Sequence, residues 1–259
     1  MIVRRDGPSL WIKARGEAVQ RVPARLISRV IITGNVRLDA GAITLFTERG
    51  VPVTFLNQSG EILATAAGVN ISDWSVAERQ KALLSEREGY RRSLDWLYAK
   101  RQNLQLRLLK ELAPLRAEYF EFAGFREIEY YKCIKEYTAE MDSRGYDAVH
   151  KIVHGLFYEF AAAMLLSARL NLHLGIYHRH QEFGLVKDVC YILQAEIDKQ
   201  AIQFIKAEIG SLSGNRNKAL LNRDSRRNII HRFEKEKGLI EIMIGSLIDD
   251  VFGLMRELA

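Results

Sequence analysis

The sequence contains few of the residues that cross-link or interrupt a fold. Among its 259 residues are only two cysteines and four prolines. Cys133 and Cys190 provide no disulfide framework and no CxxC pair, which argues against a disulfide-stabilised secreted domain and favours a reducing compartment. No proline follows Pro114, so the second half of the chain is free to form long, unbroken helices.

Long apolar runs are also scarce. The most apolar run, residues 160–166, is closed by Ser167 and Arg169 and is far shorter than the roughly 18 apolar residues that a membrane span needs. The first residues, MIVRRDGPSLW, contain no apolar region of the kind found in signal peptides. We therefore expect a cytoplasmic protein with no membrane segment.

The remaining composition is that of a globular protein with a modest basic excess. Apolar residues make up 48% of the chain and charged residues 27%, which is ordinary for a soluble domain. The length allows one large domain or two smaller ones. The formal net charge of +6 fits a polyanionic partner without requiring one.

The first 66 residues predict a small β domain that contains one short helix. Asp39 is placed to cap a helix over residues 40–49, and Gly50 to end it. The segment has no phosphate-binding glycine loop, no paired acids and no histidine, so we expect a structural role such as the pairing of two subunits. Apolar or β-branched strands are expected at residues 9–14, 30–32, 51–56 and 61–65, the last two as a hairpin.

From residue 76 onward the apolar period is helical, and residues 67–75 predict a linker in which Ser75 caps the first helix. The longest predicted helical stretch, residues 76–112, is one long helix or two abutting helices over 76–89 and 90–112, with one apolar and one basic face. The basic face is either a solvated surface or one that follows a DNA backbone. The stripe expected to be buried consists of Leu94, Leu97, Leu104 and Leu108. The exposed face is expected to carry Arg91, Arg92, Lys100, Arg101, Arg107 and Lys110.

Five of the six histidines lie between residues 147 and 196. A long apolar helix opens this segment and fades at residues 171–175, and a second helix begins near Leu185. His178 follows the first helix and Asp188 lies in the first turns of the second, so the two side chains can converge. Imidazole with carboxylate suits Mn²⁺, Zn²⁺ or Fe²⁺, and the pair is half of a possible metal site.

His150 and His154 lie one helical turn apart and therefore share a face of the first helix. No glutamate stands between them in the arrangement of zinc proteases. We therefore expect the two histidines to be packed or to cap a helix rather than to bind a metal ion.

Several segments match the pattern of one family. Residues 29–60, RVIITGNVRLDAGAITLFTERGVPVTFLNQSG, run in the order apolar strand, Gly-x-Val-x-Leu, short helix, Gly-Val-Pro-Val and Phe-Leu before a glycine turn. In this order the segment resembles the β domain of the CRISPR-associated integrases of the adaptation module, the Cas-one family. Further resemblances are to its glutamate motif (ELAPLRAEY, residues 111–119), its Gly-x-x-His motif (GIYH, 175–178), its acidic helix (from 187) and its late basic segment (224–227 and 233–234).

The resemblance implies an α+β fold, in which a β-sandwich-like domain, residues 1–66, pairs two copies and a larger all-α domain, residues 76–259, carries the active site. It implies a metal-dependent DNA endonuclease and integrase that joins the 3′-hydroxyl ends of a prespacer to the CRISPR repeat. The implied partners are double-stranded DNA and the small Cas-two protein. The implied ligands of Mg²⁺ or Mn²⁺ are Glu111, His178 and Asp188. The implied DNA contacts are Arg116, Arg226 and Arg227.

Two departures from the family bear on activity. Tyr191 stands where the family usually has a second metal-binding acid, and a phenol is a poor ligand for Mg²⁺ or Mn²⁺. Pro114 lies within the glutamate motif and is expected to kink the helix that carries Glu111. Either the chain is an active integrase, or it is a dimeric DNA-binding scaffold of the same fold that does not catalyse. Neighbours that could complete the metal site are Glu182, His180 and Glu196.

An unrelated basic helical protein that acts on RNA is a third reading. It applies only if the match of the β domain fails in the structure.

Overall fold

The structure is a computed structural model that describes residues 1–27, 29–57, 62–66, 68, 74–139, 143–211 and 223–257. The chain divides into two compact units, Met1–Trp74 and Ser75–Ala259. Within the described residues, the strands lie in the first unit together with one short α-helix and one turn of 3₁₀ helix (Ala24–Leu26), whereas the second unit is helical. The predicted α+β class is confirmed. Most of the predicted linker, residues 67–75, lies outside the described residues.

The first unit contains two sheets. Their strand orders are β3-β2-β1-β5 and β4-β6-β7. The predicted hairpin is confirmed as the antiparallel pair β6–β7, and β4 pairs with β6 in parallel. The strands are β1 (Ile2–Asp6), β2 (Ser9–Lys13), β3 (Gln20–Pro23), β4 (Val30–Thr33), β5 (Arg37–Leu38), β6 (Val53–Leu56) and β7 (Ile62–Ala66).

Strands β1, β3 and β5 were not predicted. In β1, two apolar residues are followed by Arg4, Arg5 and Asp6, so the alternation that marks a half-buried strand is missing. Backbone pairing with both β2 and β5 holds β1 in the sheet, although its side-chain pattern alone does not predict a strand. Three of the predicted turn residues, 58–60, lie outside the described residues.

The short helix α1 (Ala40–Thr47) is capped by Asp39, as predicted, but ends at Thr47 rather than at residue 49. The Oδ1 atom of Asp39 accepts a hydrogen bond from the backbone N–H of Ala42 at 2.6 Å. The same carboxylate accepts the backbone N–H of Arg5 at 3.2 Å, which fastens the start of the helix to strand β1. The core between the helix and the sheets contains Val3, Leu10, Ala24, Ile32, Ala42, Leu45, Phe46 and Val53.

The second unit contains eight helices within the described residues. Pro114 is the first residue of α4 rather than a kink in α3, because the first position of a helix needs no backbone N–H. Ser75 lies inside α2, so the predicted cap is wrong. The helices are α2 (Trp74–Ser85), α3 (Arg87–Leu112), α4 (Pro114–Ala123), α5 (Glu127–Ala139), α6 (Ser143–Ser167), α7 (Gly184–Ile192), α8 (Gln194–Ser211) and α9 (Arg223–Glu257).

Two helix boundaries differ from expectation. The second helix of the histidine-rich segment is broken at Leu193, so that α7 and α8 are separate helices. The apolar period of the sequence predicts a last helix over residues 238–258, but this helix begins at Arg223. Its charged first turns have little apolar period, but Ile229 and Phe233 are buried there on the same face as Ile240.

Helix α6 forms the centre of the helical unit and packs against α7, α8 and α9. By length and composition alone, residues 145–167 could cross a membrane, although no single apolar run is long enough. Within the protein, 56% of the apolar window is buried, and the helices around it account for this burial. Such a helix is as typical of a protein core as of a bilayer.

The basic face predicted for α3 is largely neutralised. The prediction that Arg101 is exposed is wrong. Its side chain is only 2% exposed and lies in the buried stripe with Leu97 and Leu108. Leu94 and Leu104 are half-buried. Four of the remaining cations form ion pairs, namely Arg91 with Glu88, Arg92 with Glu257, Lys100 with Asp250, and Lys110 with Glu121.

We predict that Asp39→Ala lowers the unfolding free energy of the first unit by about 1 kcal/mol, because both the helix cap and the bond to β1 are removed. Asp39→Asn keeps an acceptor oxygen and serves as the matched control. Urea denaturation followed by circular dichroism measures both variants. Equal stability of the two would show that the cap is not what Asp39 contributes.

Candidate functional site around His178

The loop between α6 and α7 is held in shape by a crossing of two glycines. A Cβ atom on Gly175 would lie 2.7 Å from the carbonyl carbon of Gly184. A Cβ atom on Gly184 would lie 2.4 Å from the carbonyl oxygen of His178. Only glycine permits two backbones to approach so closely. The glycine of the GIYH motif therefore lets residues 176–178 fold back against the start of α7.

Asp188 holds this loop in place through hydrogen bonds to its backbone. Its side chain is almost fully buried, and its Oδ1 accepts the backbone N–H of His178 at 3.0 Å. Its Oδ2 accepts the backbone N–H groups of Ile176 and, at 3.3 Å, of Tyr177. The imidazole Nδ1 of His178 lies 2.8 Å from Oδ1. These four contacts use about all the acceptor positions that a carboxylate offers.

The same contacts set the state of His178. An ionised carboxylate can only accept hydrogen bonds, so the Nδ1 of His178 carries the hydrogen that it donates to Asp188. This leaves Nε2 as the ring nitrogen available to a ligand. The His178 side chain is 19% exposed, so the imidazole reaches the surface while Asp188 does not.

Tyr191 lies one turn after Asp188 and is packed among rings. The ring of Tyr177 is stacked on it, with centroids 4.9 Å apart and planes 9° from parallel. The His178 ring makes a T-shaped contact with it, with the ring centroids 5.9 Å apart. The guanidinium carbon of Arg101 lies 3.6 Å from the Tyr191 ring centroid, which is a cation–π contact. Burial raises the pKa of Tyr191 to about 12, against the opposing effect of Arg101.

Arg101 joins three helices at this site. From α3 its Nε donates to Oε1 of Glu127 on α5 at 2.7 Å. Its other nitrogens donate to the backbone oxygen of Tyr191 on α7 and to the hydroxyl of Tyr131 on α5. A guanidinium buried to this degree has to be paired and hydrogen-bonded, because the desolvation of an unpaired charge costs several kcal/mol.

Arg101 was missed because an arginine was assumed to lie at the surface. The helical period of α3 indicates that position 101 is buried, since it lies one turn beyond Leu97 and two turns before Leu108. Gln105, one turn further along the same stripe, is buried as well. A cation in an apolar stripe indicates a buried partner, but the sequence does not reveal that Glu127 is this partner.

Glu111, the third predicted metal ligand, lies in the last turn of α3 and pairs with α8. Its Oε1 is 2.7 Å from Nζ of Lys199, and its side chain is 43% exposed. Burial raises the pKa of nearby Glu196, and the charge of Glu111 raises it further. The structure thus brings His178 and Asp188 together and places Glu111 with Lys199 and Glu196.

The residues present do not fit a divalent cation as the predicted trio. Within the described ranges, no group of three or more His, Cys, Asp or Glu side chains is arranged to hold a metal ion. Mg²⁺ and Mn²⁺ prefer carboxylate oxygens with free lone pairs, and those of Asp188 are committed to the loop. Of the neighbours that might complete the site, His180 and Glu182 are exposed.

A profile of the family described as CRISPR associated protein Cas1 matches residues 1–143, more than half of the chain. The chain belongs to the Cas1 family. The resemblance to the Cas-one family drawn from the sequence is therefore confirmed, and the third reading, an unrelated RNA-binding protein, is set aside. No curated protein matches the chain in sequence.

Solved structures share the fold at low sequence identity. A CAS1 protein from Thermotoga maritima superposes with a TM-score of 0.76 at 14% identity, over 97% of this chain and 94% of that one. A casposase bound to an integration product gives 0.72 at 14%, over 99% and 88%. A Cas6-RT-Cas1–Cas2 complex gives 0.70 at 14%, over 97% of this chain and 34% of that one. At these identities the likeness concerns the fold alone.

A second polar cluster of the Cas1 helical unit surrounds Asp198 of α8. This buried carboxylate accepts the hydroxyl groups of Tyr130 at 2.8 Å and Tyr146 at 3.1 Å. Nε2 of His150 lies 3.0 Å from its Oδ1. The His154 ring lies beside that of His150, with centroids 6.5 Å apart, and the pKa of His154 is lowered by burial and by that neighbour. Both histidines are packed, as the sequence predicted.

The three arginines predicted to contact DNA lie in different surroundings. Arg116 on α4 is 2.8 Å from Oε2 of Glu136 and also contacts the Sγ atom of Cys133. Arg226 and Arg227 are exposed in the first two turns of α9. Neither makes an ion pair with a residue that the structure describes, so both charges are available to a ligand.

We predict that Arg101→Ala lowers the unfolding free energy of the helical unit by about 3 kcal/mol, because Glu127 and the backbone oxygen of Tyr191 lose their partner. Arg91→Ala on the same helix removes an exposed pair and is the matched control, with little expected change. Chemical denaturation compares the two variants. Equal destabilisation of both would mean that the buried guanidinium does not connect the helices.

Proposed function

We propose that this Cas1-family chain is a dimeric DNA-binding scaffold of CRISPR adaptation, which holds prespacer and repeat DNA. The observation that carries the proposal is the contrast between two basic helices. The cations of α3 are mostly paired with acids, whereas those at the start of α9 have no acidic partner among the described residues. The Cas1 family supports a role in CRISPR adaptation, and two structural neighbours, a casposase bound to an integration product and a Cas6-RT-Cas1–Cas2 complex, support contact with DNA and with Cas2.

The first turns of α9 carry four exposed cations, with the exposed acids Glu234 and Glu236 among them. Arg226, Arg227, Arg232 and Lys235 are all exposed. Cations without a protein partner release counterions from DNA without first breaking an ion pair, and they track the phosphate backbone without reading sequence. Arg116 would first have to leave Glu136, so its contribution to DNA binding is smaller.

A cleft of about 290 Å³ continues this surface. Arg232 and Lys235 of α9 stand on one wall, and Gln200 and Gln203 of α8 stand on the other. Guanidinium and ammonium groups bind phosphates, while amides hydrogen-bond to base edges. Glu236 also lines the cleft and weakens its attraction for phosphate without cancelling both cations.

The proposal includes two partners. One is Cas2, which the complex of similar fold contains, and the other is a second copy of this chain. In the first unit, β3 and β5 are the outer strands of one sheet, and β4 and β7 those of the other. Edge strands present unpaired backbone groups and are natural places for a second chain to join. The N-terminal unit is therefore the part through which we propose that two copies pair.

A second candidate function, metal-dependent DNA joining, is favoured by one observation. His178 donates Nδ1–H to a buried carboxylate and turns Nε2 outward, as metal-binding histidines commonly do. Such a metal ion would act as a Lewis acid on the phosphoryl oxygens. His178 alone, without further ligands, instead provides a hydrogen-bond partner for a phosphate near the α6–α7 loop.

We predict that Arg226→Ala and Arg227→Ala together weaken duplex DNA binding. They should also lower the slope of log K against log salt by about one for each phosphate that is no longer neutralised. Fluorescence anisotropy over a salt series measures this slope. Arg91→Ala with Arg92→Ala is the matched control and should leave it unchanged. A larger effect of the α3 pair would contradict the proposed surface.

The two candidate functions separate in a joining assay. We expect the wild-type chain, supplied with a prespacer duplex, a supercoiled repeat-bearing plasmid and Mn²⁺, to bind DNA without forming joined products. His178→Ala is the control for any product that does appear. Products that require both Mn²⁺ and His178 would establish the second function in place of the first.

A further inference from the structure

We infer that Arg101 is the resident cation of the His178 site and that, with Tyr191, it closes this site to divalent metal ions. The inference concerns metal binding and does not rest on DNA binding by α9. It depends on the contact between Arg101 of α3 and Tyr191 of α7.

The first step is the position of the guanidinium. The guanidinium carbon lies 3.6 Å from the ring centroid of Tyr191, and the His178 ring makes a T-shaped contact with the same tyrosine, with centroids 5.9 Å apart. The positive charge of Arg101 therefore lies on the ring that borders His178. In a buried setting, a second cation beside it is repelled much more strongly than in water.

The second step is the shortage of ligands. Glu127 is the carboxylate next to Tyr191. Its Oε1 atom lies 2.7 Å from Nε of Arg101 and 3.4 Å from the hydroxyl of Tyr191. Asp188 accepts four hydrogen bonds from the loop. Among the residues that the structure describes, no group of three His, Cys, Asp or Glu side chains includes His178, so Mg²⁺ or Mn²⁺ at Nε2 would have too few oxygen ligands.

The third step is that Arg101 and Tyr191 act as one unit. Tyr191→Asp alone places a carboxylate beside a buried guanidinium, and the two form an ion pair rather than a metal site. Arg101→Met alone removes the charge but leaves a phenol where a ligand is needed. We therefore expect metal binding only when both residues are changed, and only with His178 present.

The test is a titration with Mn²⁺ alone, followed by calorimetry and by the decrease of the free-ion electron paramagnetic resonance signal. The proteins are the wild type, Tyr191→Asp, Arg101→Met, the double variant, and the double variant with His178→Ala. The double variant should bind one Mn²⁺ at least about tenfold more tightly than the wild type, and His178→Ala should remove this gain.

Two results would overturn the inference. One is stoichiometric Mn²⁺ binding by the wild type that disappears in His178→Ala, a comparison that stands even if the double variant fails to fold. The other is a gain in Tyr191→Asp as large as that of the double variant, which would show that Arg101 does not oppose the metal. DNA binding measured in parallel stays as in the wild type if the α9 surface is independent of this site.

Discussion

The hydrogen bonds and ring contact of one buried guanidinium hold the functional face of the helical unit together. Arg101 reaches from α3 to a carboxylate and a hydroxyl on α5 and to a backbone oxygen and a ring on α7. Desolvating this charge is costly, so every partner has to stay in place for the fold to be stable. The ring of Tyr191 is fixed as a result, and with it the stacked ring of Tyr177 in the loop that presents His178.

The α6–α7 loop depends on two further constraints that reinforce each other. The crossing of Gly175 and Gly184 brings the backbone of residues 176–178 to α7, and Asp188 then binds three successive N–H groups and the imidazole. A carboxylate used in this way orients a histidine but has little capacity left to bind a metal ion. The chain has the Cas1 fold, and two exposed cations near the start of α9, Arg226 and Arg227, form no ion pair with the residues that the structure describes.

Local signals in the sequence were sufficient for much of this structure. Asp39 before an apolar period predicted the cap of α1, and the β-branched runs around residues 51–65 predicted the hairpin. The spacing of His178 and Asp188 across a helix boundary predicted their contact. In each case the partners are near in sequence, or the pattern carries its own period.

The remaining features depend on contacts between distant segments. Arg101 is buried because its hydrogen-bond partners on α5 and α7 lie next to α3 in the fold. The sequence of α3 itself does not indicate which residues these partners are. Glu111 was placed with the histidine by family likeness, whereas Lys199 of α8 attracts it in the fold. The start of α9 was missed because its basic first turns hide the buried Ile229 and Phe233.

The most direct test is the anomalous diffraction of wild-type crystals grown with Mn²⁺ and recorded at an energy where manganese scatters anomalously. With Arg101 as the cation of the site, the anomalous map shows no manganese peak beside Nε2 of His178, and the guanidinium lies on the ring of Tyr191. A manganese peak bonded to Nε2, with Arg101 turned away from Tyr191, would contradict the account.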